Sequence, residues 1–227
     1  MNLDITTTAV LRPELLRQTY ASFWEGLSLH KQQVRVIINV DPVGLDCHAG
    51  DVVAVAHEFA DTVVSRTPAS PSFGGAVQWC WSQVDTDLFF HLEDDWVMRR
   101  PLHWEWLMQS IAIHPEYVSF FLHNNQPSVW SCPWGLDVCE YPQLCLGPTF
   151  IRKSFTDKVG PLMSPELNPE KQLKPLRDRS LYHLNKQYRH GAYVRESKHG
   201  ITRDTGRAWR EKYTNYKADY GFDKWTA

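Results

Sequence analysis

Two runs in this chain are almost wholly apolar and of strand length: Val34 to Val40 (VRVIINV) and Leu88 to Leu92 (LFFHL). A strand with one wet face alternates; a run without alternation belongs to a strand covered on both faces. Such a sheet needs helices between its strands, and the sequence supplies them. Pro13 and Glu14 open a segment in which Leu15, Leu16, Phe23, Trp24 and Leu27 recur at helical spacing. Proline suits the first helical position, and the acid suits the positive end of the helix dipole. Further helices are expected from Ala76 to about Val84 and from Pro101 to His114, with shorter strands over 3–8 and 61–64. The stretch Thr67 to Gly75 (TPASPSFGG) reads as a loop, and residues 124–148, rich in Pro, Cys, Trp and Gly, as irregular. Helical signal resumes at Pro169-Glu170 and runs towards Tyr188. The alternation predicts an α/β fold: one Rossmann-like domain with a mostly parallel central sheet and helices on both faces.

Composition excludes several classes. With 10 Trp, 9 Tyr and 10 Phe, the chain has ample apolar area for a core, so disorder is not its dominant state. No apolar run approaches the ~20 residues that span a bilayer, and Asp4 stands where a leader would be basic and then apolar. Five cysteines (47, 80, 132, 139, 145) without a C-x-x-C pair read as reduced thiols of a cytoplasmic protein. A zinc site from Cys132, Cys139, Cys145 and His123 is not expected, because the spacings miss the usual ligand loops. The net charge of −2 hides an asymmetry: residues 1–170 hold 10 Lys and Arg against 20 Asp and Glu, while 171–227 hold 14 against 6. The acidic part suits a cation and the basic part an anion, or the latter is a solvated helix.

The run 88–92 ends in Glu93-Asp94-Asp95. Three adjacent carboxylates repel one another and raise one another's pKa, and a divalent cation removes that problem. Oxygen ligands suit Mg²⁺ or Mn²⁺, which in turn hold phosphate oxygens. Ligands of open α/β sheets bind beyond the carboxyl ends of strands, where these acids lie. The alternative is an acidic turn capping the next helix.

At these residues the sequence resembles a GT-A glycosyltransferase of the broad family-2-like group. Thr6-Thr7-Thr8 with Arg12-Pro13-Glu14-Leu15-Leu16 is similar to the first strand and helix that hold the nucleotide; Asp41 is similar to the acid that contacts base or ribose. Leu92-Glu93-Asp94-Asp95 resembles the D-x-D motif with Glu93 in place of the first Asp. The resemblance implies Asp95 as metal ligand, with Glu93 and Asp94 serving the ribose or the metal's surroundings. It implies a late metal-ligating His, matched by His199, and Arg203, Arg207 and Arg210 against the diphosphate. It also implies an acid on the helix after Val159-Gly160-Pro161-Leu162 that deprotonates the acceptor: Glu170, with Glu166 as runner-up. A helix N-terminus lowers a carboxylate's pKa, so burial would have to oppose it for Glu170 to act as base.

The expected function is metal-dependent transfer of a sugar from a nucleotide diphosphate to an acceptor hydroxyl, with inversion if Glu170 is the base. Residues 1–165 would form the catalytic core and 166–227 a basic segment completing the site. That segment interleaves Tyr182, Arg189, Tyr193, Arg207, Trp209, Arg210, Tyr213, Tyr216 and Lys217, a mixture suited to a nucleic-acid backbone and stacked bases. It resembles the phage-type enzymes that glycosylate hydroxymethylated pyrimidines in DNA, which places the chain in the cytoplasm of a bacterium or a phage-infected host. A cell-envelope saccharide or lipid-linked glycan is the rival acceptor. A metal-dependent nucleotidyltransferase and a non-catalytic sugar-nucleotide-binding module are the other classes, the former weakened by the lack of a Gly-rich loop.

Overall fold

The computed structural model describes residues 3–44, 47–124, 136–173, 179–195 and 200–206. The elements are β1 (Leu3–Ala9), α1 (Pro13–Gly26), β2 (Val34–Val40), α2 (Ala49–Phe59), β3 (Thr62–Arg66), α3 (Phe73–Ser82), β4 (Leu88–Glu93), β5 (Trp96–Met98) and α4 (Trp104–Ile113). Then follow β6 (Tyr117–Leu122), β7 (Val138–Tyr141), β8 (Thr149–Arg152), α5 (Lys153–Val159), α6 (Pro169–Gln172), α7 (Arg179–Asn185), β9 (Arg189–Tyr193) and β10 (Thr202–Asp204).

Eight strands form one sheet in the order β3-β2-β1-β4-β8-β6-β9-β7. The first four are parallel, β8 runs against its neighbours β4 and β6, β9 is parallel to β6, and β7 antiparallel to β9. Six of the eight therefore point the same way. β9 enters this sheet from beyond residue 165, and β10 pairs with β5 in a separate two-stranded ribbon.

Period-two alternation puts successive side chains on opposite faces, and here both faces are covered. Ile5, Val36, Ile38 and Phe90 pack with Leu16, Tyr20 and Phe23 of α1, Val52 and Val55 of α2, and Leu107 and Ile111 of α4. Ile37, Phe89 and Ile151 pack on the other side with Val77, Cys80 and Trp81 of α3 and Phe155 and Val159 of α5. This is why the runs at 34–40 and 88–92 lack alternation. Each fully buried Phe or Leu adds about 1.5–3 kcal/mol by leaving water.

Three expectations need correction. The segment thought irregular contains β7, a strand hydrogen-bonded to β9. The helical signal after residue 169 gives two helices, α6 and α7, because Leu173 already leaves the first one. Cys139 is disulfide-bonded, whereas Cys80 and Cys145 are free thiols. An odd cysteine count without C-x-x-C spacing leaves room for a bond between two of the five. Among the described residues no helix is long and apolar enough to cross a membrane.

Candidate active site

The carboxyl ends of β1, β2 and β4 meet at one cavity of about 180 Å³. Thr8, Ala9, Val10 and Arg12 line it from the first strand and its turn, Asp41 from just beyond β2, and Glu93, Asp94 and Asp95 from the end of β4. Phe73, the first residue of α3, and Asn168, the N-cap of α6, complete the wall.

Asp94 fastens the turn after β1 to the end of β4. Its Oδ2 accepts from the Val10 backbone N–H and from Arg12 Nε, each at 2.9 Å, and its Oδ1 accepts from Arg12 Nη2. The Thr19 hydroxyl donates to the Asp94 carbonyl at 2.9 Å, which ties in α1 as well. Arg12 Nη2 also reaches Asp95 Oδ2 at 2.9 Å. All three side chains are buried. Burial alone would lower the guanidinium's pKa, but Asp94 and then Asp95 outweigh it, so Arg12 is a fixed cation.

Glu93 takes a different partner. Trp96 Nε1 donates to its Oε2 at 2.9 Å. Burial first, then the neighbouring carboxylates of Asp95, Glu170 and Asp94, push its carboxyl well above the usual range. Asp41 is raised too, chiefly by burial, although Asn39 Nδ2 donates to its Oδ1 at 2.8 Å and the Ser72 N–H to its Oδ2 at 3.0 Å. Ser72 caps α3 by accepting from Gly75 N–H and donates to the Pro165 carbonyl. A Cβ on Gly74 would lie 2.5 Å from the Leu167 carbonyl and 2.6 Å from that of Pro165. Glycine there lets the start of α3 close on residues 164–167, which brings Phe73 and Asn168 to one cavity.

The remaining expected site residues stand elsewhere. Thr6 lies one row deeper than Thr8 on the same face, its hydroxyl 2.9 Å from His91 Nδ1. Thr7 points to the other face and accepts from the Tyr20 hydroxyl at 2.8 Å. Glu170 Oε1 accepts from the Leu146 N–H at 2.6 Å, and its charge is felt at Glu93 and at Cys145. Glu166 is exposed, as is Arg203, which sits on β10 opposite Val97. His199, Arg207 and Arg210 lie outside the described residues. Phe73 and Asn168 were not expected at the cavity, since no local pattern marks them; only the capping residues Ser72 and Asn168 announce helix starts.

A cation fits this donor set. Glu93, Asp94, Asp95 and Asp41 surround the cavity, and among the described residues lining it only Arg12 is cationic. A diphosphate entering such a wall needs added positive charge. Among the described residues no three His, Cys, Asp or Glu side chains converge to hold a metal ion by themselves. A cation held there would draw on one or two of these carboxylates together with substrate phosphates and water.

No protein-family model matches the chain, and no curated protein does. Solved structures do. S. aureus TarS superposes with a TM-score of 0.58 at 10% identity, over 93% of this chain and 38% of TarS. The mannosyltransferase PcManGT from Pyrobaculum calidifontis, in complex with GDP-Man and Mn²⁺, superposes at 0.58 with 9% identity, over 95% of this chain and 62% of that one. A UDP-glucose pyrophosphorylase complexed with UDP-glucose gives 0.56 at 12% identity, over 94% and 99%. The chain thus spans less than two thirds of the first two proteins. At these identities the likeness shows the fold.

Proposed function

We propose, from a GT-A glycosyltransferase fold with this acidic cavity at its strand ends, that the chain transfers a sugar from a nucleotide diphosphate to an acceptor hydroxyl with the help of a divalent cation. The observation that carries the reading is the convergence of Thr8, Asp41 and Glu93-Asp94-Asp95 on one cavity, at the place where α/β sheets bind nucleotides. Asp41 is assigned to the base or ribose. Asp95, with Glu93 beside it, is assigned to the cation. Mn²⁺ or Mg²⁺, when bound, neutralises the diphosphate as the sugar–phosphate bond breaks. Arg12 holds Asp94 and Asp95 in place before donor arrives. Glu170 is assigned the acceptor's proton, which implies inversion; support comes from its nearness to Glu93 and from the exposure of Glu166.

The acceptor proposed is a hydroxymethylated pyrimidine in DNA, supported by the basic, aromatic composition of residues 171–227. Duplex binding that weakens steeply with salt supports it, and binding indifferent to salt turns the reading to a glycan. The likeness to a UDP-glucose pyrophosphorylase favours nucleotidyl transfer as second reading; release of pyrophosphate from a nucleoside triphosphate and a sugar phosphate would identify it.

The test of the main reading is thermal unfolding with UDP, GDP and their sugars, with and without Mn²⁺. A ligand at about 100 times its Kd adds about 2.7 kcal/mol. Metal-dependent stabilisation by one nucleotide, lost in Asp95→Asn, is the expected result. No stabilisation by any of them refutes it.

A further inference from the structure

The acid assigned to the cation is held from a distance of more than a hundred residues along the chain. β10 lies antiparallel to β5, with Asp204 opposite Trp96, the residue after Asp95. The chain continues through Thr205, whose N–H and hydroxyl both donate to the Asp95 carbonyl, at 2.7 and 2.8 Å. Asp204 Oδ1 then accepts from the Gly206 N–H at 2.8 Å, and the backbone turns across the Asp95 side chain. A Cβ on Gly206 would stand 1.9 Å from Asp95 Oδ2 and 2.6 Å from its Cγ, where real Cβ atoms keep at least 3.0 Å. On its other side the same Oδ2 takes the hydrogen bond from Arg12 Nη2 at 2.9 Å. The carboxylate is thus confined between a fixed guanidinium and a bare stretch of backbone.

We propose that Gly206 is a positioning residue that sets the direction of the Asp95 carboxylate towards a divalent cation. The inference rests on the reading of Asp95 as a cation ligand. A side chain at 206 moves either the strap or the carboxylate by more than 1 Å, the gap between 1.9 and 3.0 Å. Metal–ligand distances tolerate about 0.2 Å, so a shift of that size takes the oxygen out of ligating range. Thr205 contributes by fixing the main chain of the same residue, and its hydroxyl is the part that a substitution can remove without adding bulk.

The experiment titrates Mn²⁺, alone and with UDP or GDP, into the full chain, reading the free ion by electron paramagnetic resonance. Gly206→Ala is expected to bind Mn²⁺ at least about tenfold more weakly, the lower end of the effect of residues that orient metal ligands. Its far-ultraviolet circular dichroism is expected to match the wild type. Thr205→Val, which keeps the backbone donor, is expected to weaken binding less. Gly160→Ala, where a Cβ meets only a Trp81 ring carbon at 3.6 Å, is the control for glycine replacement and keeps wild-type affinity. Unchanged affinity in Gly206→Ala, or in Thr205→Val should the alanine variant not fold, overturns the positioning role. A wild-type chain that binds no Mn²⁺ under any of these conditions overturns the cation reading of Asp95, and the positioning role with it.

Discussion

Acidification should weaken this protein through His190, and the size of the effect follows from its surroundings. The ring is buried in β9 and has a partner on each nitrogen. Asn185 Oδ1 lies 2.9 Å from Nε2, and the Ser119 hydroxyl 2.8 Å from Nδ1. Asn185 Nδ2 points to the Leu173 carbonyl, so its Oδ1 is the end that faces the ring and Nε2 carries the proton. Nδ1 then accepts from Ser119. The Phe155 ring stands edge-on at 5.5 Å. This arrangement satisfies the neutral imidazole, and burial alone pulls its pKa from the ordinary 6.5 down to about 4. The unfolded chain therefore takes up the proton first as pH falls. Stability from this group is fully present above pH 6.5 and is lost as the pH drops towards 4. At pH 5 the loss is about 2 kcal/mol and below pH 4 about 3 kcal/mol. In a domain of this size the pH 5 loss lowers the unfolding midpoint by about 4–8 °C. Carboxylates raised by burial, such as Asp41, act in the opposite sense, so the measurement compares variants. Urea unfolding at pH 7 and pH 5 of wild type and His190→Gln isolates the ring's contribution: the variant's pH dependence should be smaller by about 2 kcal/mol. Equal pH dependence in the two would refute the assignment of the neutral, buried ring.

Two further outcomes test other parts of the structure. Arg12→Met removes the cation from a buried pair of carboxylates and should destabilise the fold by about 3–5 kcal/mol in urea unfolding at neutral pH; Arg12 and Asp94 are both buried, so solvent does not soften the loss. Gly50, exposed in α2 with nothing within 4 Å of a would-be Cβ, should accept alanine with a gain of about 0.5–1 kcal/mol, read as a higher urea midpoint at unchanged slope.

The sheet was readable wherever burial on both faces leaves an uninterrupted apolar run, as at 34–40 and 88–92, and the acids closing β4 announce themselves by charge alone. β7 was not readable, because Val138-Cys139-Glu140-Tyr141 is four residues long and its only described strand neighbour, β9, comes some fifty residues later. The triple threonine shows the limit of motif reading. Alternation sends Thr7 to the opposite face and leaves Thr6 under Thr8, so one of the three reaches the cavity. Phe73 and Asn168 arrive there through the close approach of α3 to residues 164–167, which depends on a missing side chain at Gly74. The clasp of Gly206 on Asp95 links positions 111 apart, and no window of sequence contains both.

The insertion of β9 between β6 and β7 has a temporal side. While the ribosome has delivered only the first 165 residues, β6 is bordered on one edge alone, and β7 has no described strand to lie against. Its ladder closes when Arg189–Tyr193 emerges and slides into the gap, a late pairing at long sequence separation of the kind that slows folding. Until then the nascent chain carries an open edge able to recruit a neighbouring copy. Crowded expression should thus punish this protein at β9 rather than at its first strand.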